Sequence, residues 1–137
     1  MVSMHVASGA AAGALLGSRR RAAIAGPLLH IVGDVIPHQD IGSRRFEIGS
    51  GLTLLALLAV ARGPLDPAVV GAVTSSAPDL EHVLTLPRPG GRKLFPTHRV
   101  AGLHRTGGLP SSLQLVAAGA IVGTLVAAAV GRRRPTL

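Results

Sequence analysis

The chain contains no cysteine, tryptophan or tyrosine and only two phenylalanines. Without thiols there are no disulfides and no thiolate ligands, so any metal must be held by imidazole and carboxylate. Without Trp and Tyr there is no aromatic platform on which nucleic-acid bases could stack. Acidic residues are also scarce: six Asp and Glu stand against fourteen Lys and Arg, a formal net charge of +8. Such a balance suits either a nucleic acid or an anionic membrane surface. The placement of the arginines favours the membrane. Arg19, Arg20 and Arg21 follow one apolar stretch, Arg44 and Arg45 precede another, Arg62 closes a third, and Arg132, Arg133 and Arg134 close the last, as basic residues flank membrane spans. No basic helix is long enough to lie in a groove, so no nucleic acid is expected as a partner.

Hydrophobic residues are 47% of the chain and the mean hydropathy is +0.47. They are Ala, Leu, Val and Ile, interspersed with Gly, which membrane helices tolerate. Five apolar segments can be drawn, at residues 5–17, 22–37, 47–62, 65–82 and 113–131. The first has no basic segment before it and opens on His5, so it reads as mature protein rather than a signal sequence. The expected fold is all-α: one domain, residues 1–137, forming a polytopic membrane bundle of about five short helices. A long Pro/Gly-rich loop, residues 83–112, precedes the last helix and lies over the candidate site. Only segment 113–131 has the roughly 20 residues that span a bilayer comfortably, so a soluble helical bundle remains the alternative.

Small residues recur every fourth position: Gly9, Gly13 and Gly17; Ala22 and Gly26; Gly71 and Ser75; Gly119, Gly123, Ala127 and Gly131. Residues four apart share a helix face, and small ones let backbones approach closely in lipid, so these stripes are expected to face inward. Three of them run into polar residues. The first extends back to His5, the second on to His30, Asp34 and, if the helix continues through Pro37, His38, and the fourth segment's stripe to Asp79 with His82 a turn beyond. Alternating helix directions then place all six histidines and five of the six acidic residues at one end of the bundle.

His30 and Asp34, at i and i+4, can share one cation, although a capping Asp beside an interfacial His fits the same letters. Asp79-x-Glu81-His82 follows Pro78 and reads either as ligands or as an N-capped charged turn. His98-Arg99 and His104-Arg105 fit a solvated basic loop, or a site whose arginines hold a phosphate-like anion. Convergence favours the site, because ionisable residues inside membrane helices are costly and functional by default. The ligands expected from the stripes are His5, His30, Asp34, His38, Asp79 and His82, with His30, Asp34, Asp79 and His82 at the centre. Imidazole and carboxylate suit Zn²⁺ first, with Mn²⁺ or Fe²⁺ as alternatives, and the donors suffice for two ions. Asp40 or Glu81 is the candidate general base.

The combination of an N-terminal His, His-x-x-x-Asp, Pro-Asp-x-[Asp/Glu]-His and a His-Arg…His segment resembles the membrane-bound metal-dependent hydrolase-like proteins of bacteria. His30-Ile-Val-Gly-Asp34, followed by Pro37 and His38, is also similar to the ligand helix of zinc-dependent phospholipase C. The resemblance runs from His5 to His104 and implies a metal-dependent hydrolase in the cytoplasmic membrane, acting on a phosphoester or lipid headgroup, with His98 and His104 added to the metal ligands; Arg99 and Arg105 are then the residues to hold the anionic group of the substrate. The order differs in placing the His-x-x-x-Asp helix second rather than last, and Glu81 replaces an Asp. A membrane protein whose metal site is structural or handles ions is the second expectation. The Arg triplets opposite the site place the site face on the non-cytoplasmic side.

Overall fold

A computed structural model describes residues 1–133 and is helical, with no strand among the described residues. Arg134 of the last Arg triplet lies outside the described residues. The long helices are α1 (Val2–Leu16), α2 (Arg19–Val35), α3 (Arg44–Arg62) and α4 (Pro67–Ser76). A 3₁₀ turn (Ala77–Asp79) leads into the short α5 (Leu80–Val83), then α6 (Pro96–Arg99) and finally α7 (Ser111–Arg133).

Helix α1 occupies the centre and packs against α2, α3, α4 and α7. It is apolar on every side, as a surrounded helix must be. Its core residues Val6, Ala7 and Ala10 meet Leu58 of α3, Ala68, Val69 and Ala72 of α4, and Ala118 and Val122 of α7. The α1/α4 crossing is set by glycine. A Cβ on Gly9 would run into the carbonyl of Gly71, and one on Gly13 into the carbonyl of Pro67. Gly26 of α2 approaches Thr74 and Ser75 of α4 as closely. The stripes in the first, second and fourth segments therefore face inward, the backbone approach that small residues permit.

Two expectations are corrected. Gly17 leaves the stripe to close α1 with φ 60°, its N–H bonding to the carbonyl of Gly13, a left-handed C-terminal cap. In α7 the stripe points outward: Gly119, Gly123, Ala127 and Gly131 are exposed, while Gln114, Ala118, Val122 and Ala129 are buried. Helix α7 is apolar all round, so its sequence does not single out the face that meets α1 and α3.

The turns that carry the site follow from local chemistry. Helix α2 ends at Val35, two residues before Pro37, so His38 is not on it. His38 is still drawn in, because its N–H bonds to the carbonyl of Arg105 (3.3 Å) while that of Leu109 bonds to the carbonyl of Pro37 (3.1 Å). The N–H of Arg105 bonds in turn to the carbonyl of Asp34 (2.9 Å). The Pro/Gly-rich stretch is thus laced to the end of α2, and α6 within it lies against that helix.

Among the described residues, α7 alone is long and apolar enough to cross a membrane, at mean hydropathy 2.1 over Ser111–Arg132. Helix α1 is apolar but only 15 residues long.

Candidate metal centre

His30 and Asp34 sit on one face of α2, both fully buried, with His30 Nε2 3.2 Å from Asp34 Oδ2. The turn Pro96–Arg99 brings His98 onto the same carboxylate: its Nε2 is 3.4 Å from Asp34 Oδ2 and 3.2 Å from His30 Nε2. Three donor atoms therefore form a triangle with edges of 3.2, 3.4 and 3.2 Å. Ligands about 2.0–2.1 Å from a tetrahedral ion stand roughly 3.3–3.4 Å apart, so this is the spacing of one face of such a shell. Asp79 Oδ1 lies farther off, 3.9 Å from His30 Nε2 and 3.7 Å from His98 Nε2.

The far nitrogens are already committed. The Nδ1–H of His30 donates to the carbonyl of Ser75 at 2.8 Å, a group left free where α4 gives way to the 3₁₀ turn. The Nδ1–H of His98 donates to Glu81 at 2.6 Å, and that of His38 to the carbonyl of Ile36 at 2.8 Å. In the neutral rings each Nε2 is then a bare lone pair. Two such lone pairs facing each other beside a carboxylate repel unless a cation lies between them, a proton or a metal ion. Holding an imidazole by its outer nitrogen is how proteins orient metal-ligating histidines.

Asp34 also serves a second group of donors. Its Oδ1 is 3.3 Å from His5 Nε2 and 3.5 Å from His104 Nδ1, yet has no hydrogen-bond donor among the described residues. Asp79 Oδ2 is likewise buried without a donor. Buried carboxylate oxygens are costly to leave unpaired. The residues present thus fit a divalent cation: buried His and carboxylate groups can hold a metal ion at His30–Asp79–His98, at His5–His30–Asp34 and at Asp34–His38–His104. His38 and His104 share Asp40, at 3.4 and 3.2 Å. The hydrogen bond to Asp40 raises the pKa of His38, and that from His38 lowers the pKa of Asp40.

Glu81 is one of the two candidate general bases, with Asp40. Its oxygens accept from the N–H of Leu94 (2.6 Å), the N–H of Phe95 (3.3 Å) and His98, fixing the start of α6. Burial alone would raise its pKa, but these donors outweigh burial and lower it. Burial works against the charged form of His98, yet Asp34 and Glu81 together raise its pKa. His82, expected at the centre, is exposed, and its Nδ1 faces Lys93 Nζ at 3.2 Å. Its place beside His30, Asp34 and Asp79 is taken by His98, although Glu81, His82 and His98 also lie close enough to share an ion. Asp79 makes no side-chain cap of α5, so the capping alternative does not account for it.

Two residues near the site are not marked as site residues by the sequence. Thr97 is buried and donates to Asp34 Oδ2 at 2.5 Å. Arg44 lines a cavity of about 320 Å³ with Asp40, Asp79, His82 and His104. A second cavity, of about 490 Å³, runs along Asp40, His98, Arg99 and His104. Arg99 thus stands on a cavity wall, whereas Arg105 is exposed and tied in by its backbone. The amino group of Met1 is also at this end, 3.0 Å from Asp40 Oδ1. Comparison with protein families, curated proteins and solved structures finds no match to this chain.

Proposed function

We propose that the protein is a membrane-embedded, metal-dependent hydrolase acting on a phosphoester at the bilayer surface, with Zn²⁺ the best fit to its all-imidazole and carboxylate donors. One observation carries the reading: His30, His98 and Asp34 present three donor atoms at ligand spacing, with the outer imidazole nitrogens held, beside cavities open to the outside. A bound divalent ion would supply an activated water and polarise the phosphoryl group. The chain's own groups supply the rest. Asp40, exposed on both cavity walls and bonded to His104, is placed to accept the proton from water. Arg44 and Arg99 on the same walls match the charge and geometry of phosphoryl oxygens.

Embedding of the whole bundle, rather than α7 alone, is supported by the outer surface. Leu15, Ile24, Leu28, Leu52, Val60 and Val116 on four different helices are 59% to 88% exposed. A soluble protein rarely leaves so many large apolar side chains in water. In this reading the end that carries the Arg clusters faces the cytoplasm, as the positive-inside rule favours, and the metal end faces outward.

A structural or ion-handling site is the second reading. It is favoured by the engagement of Glu81 in holding α6, which leaves Asp40 as the exposed carboxylate of the site. Turnover decides between the two. Protein reconstituted in nanodiscs and loaded with Zn²⁺ or Mn²⁺ should release phosphate from a phosphomonoester, with loss of at least about a hundredfold in Asp40→Asn if it acts as general base. Tight metal binding with no turnover on phosphomonoesters or phosphodiesters would favour the structural reading.

A further inference from the structure

An apolar cleft of about 300 Å³ lies between α1, α3 and the bend from α4 into α5, away from the imidazole groups. Val6 and Gly51, both buried, form its floor. Its rim is Leu52, Val73, Leu80 and Val83, each 44% to 60% exposed. Asp79 closes one end, and there the cleft meets the polar cavity that holds Arg44, His82 and His104. Val2, Ile48, Asp79 and Val83 are walls of both spaces.

We propose that this cleft binds the single alkyl chain of a phosphate-headed amphiphile, whose head reaches the metal centre past Asp79. A void lined by carbon has nothing to offer water and is filled by apolar groups. Its size is at the lower end of ligand pockets, which suits one chain rather than two. The exposed rim is apolar, so a chain would enter without crossing a polar surface. At the other end the chemistry reverses within the length of one side chain. The exposed guanidinium of Arg44 favours an anionic head, and the Oδ2 of Asp79, without a donor among the described residues, calls for a cation between itself and that head. The head therefore rests on the metal-centre reading, whereas the chain site stands on the cleft alone.

Non-hydrolysable methyl-, butyl-, hexyl- and octylphosphonate separate the two parts. Their affinities should be measured on metal-loaded protein held in amphipol without free detergent. Each buried methylene is expected to tighten binding about fourfold until the cleft is full. Val73→Phe and Leu52→Phe, both at the partly exposed rim, should flatten the series while bound metal is unchanged. Removing the metal should weaken methylphosphonate yet leave the chain-length slope in place, so a failed metal centre and a failed cleft give different results. A flat series in the unmodified protein overturns the proposal. So does a steep series that both rim variants leave untouched, because the chains would then be dissolving elsewhere.

Discussion

The two ends of the bundle use the same residue types and reach opposite conditions. At the far end Asp66 caps α4 by accepting from the N–H of Ala68 at 2.8 Å and pairs with Arg62 at 2.9 Å, so the chain itself supplies its donors. At the near end Asp34 and Asp79 each keep a buried oxygen with no donor among the described residues, and imidazole nitrogens converge on them. One end is complete as it stands. The other has groups that could hold a cation, and that difference separates a structural carboxylate from a candidate ligand.

Chelation should break this symmetry most strongly. An ion bound only to the folded state stabilises it by about 4 kcal/mol when present at a thousand times its Kd, so stripping it should lower the melting temperature by several degrees. Metal withdrawn with no shift in melting, followed by calorimetry in detergent, would mean that the near end is as self-sufficient as the far one.

Glu81→Gln comes next. It removes the charge that holds His98 from behind, and such losses typically cost 10- to 100-fold in metal affinity. In metal-free protein the pKa of His98 is raised, so its pairing with Glu81 and Asp34 contributes stability that is fully present below the unfolded pKa. That contribution is lost as pH rises through the higher folded value. Glu81→Gln should therefore bring the His98 titration, followed by NMR in chelator, down toward the ordinary value of about 6.5. An unmoved titration would show that Asp34 alone sets it.

The smallest effect belongs to the far end. Asp66→Ala should cost about 1 kcal/mol through the lost cap, with metal content unchanged. Loss of metal in this variant would mean that the ends are coupled through α4, and the contrast between them would fail.

Much of this arrangement was legible in the sequence where two constraints coincide. Gly9, Gly13, Gly26 and Gly71 repeat at helical spacing and run into polar residues, and the structure packs them at the crossings that aim α1, α2 and α4 at one end. His30 and Asp34 share a face by arithmetic alone. His98 and Thr97 were harder, because their approach depends on a four-residue helix inside a Pro/Gly-rich stretch, fixed by distant acceptors on Glu81 and Asp34. His82 lies one residue from Glu81 in sequence but on the outer side of α5, a phase that so short a helix does not reveal. The stripe on α7 looked like that on α1, yet a row of small residues states only that close approach is allowed. Which face is used was decided by Gln114, whose Nε2 donates to the carbonyls of Gln39 and Leu109, each at 2.9 Å, and by the fit of Ala118 and Val122 to the core.

The most direct measurement is the metal content of detergent-purified protein and of its Asp34→Asn and His30→Ala variants by elemental analysis. Asp34→Asn keeps the size of the side chain and removes the charge, and His30→Ala removes one corner of the donor triangle. The account predicts a tightly held divalent ion, at one or two per chain, that survives dialysis and is lost from both variants while insertion into the membrane persists. Full occupancy in both variants, or an unmodified protein that retains no divalent ion when supplied with one, would contradict it.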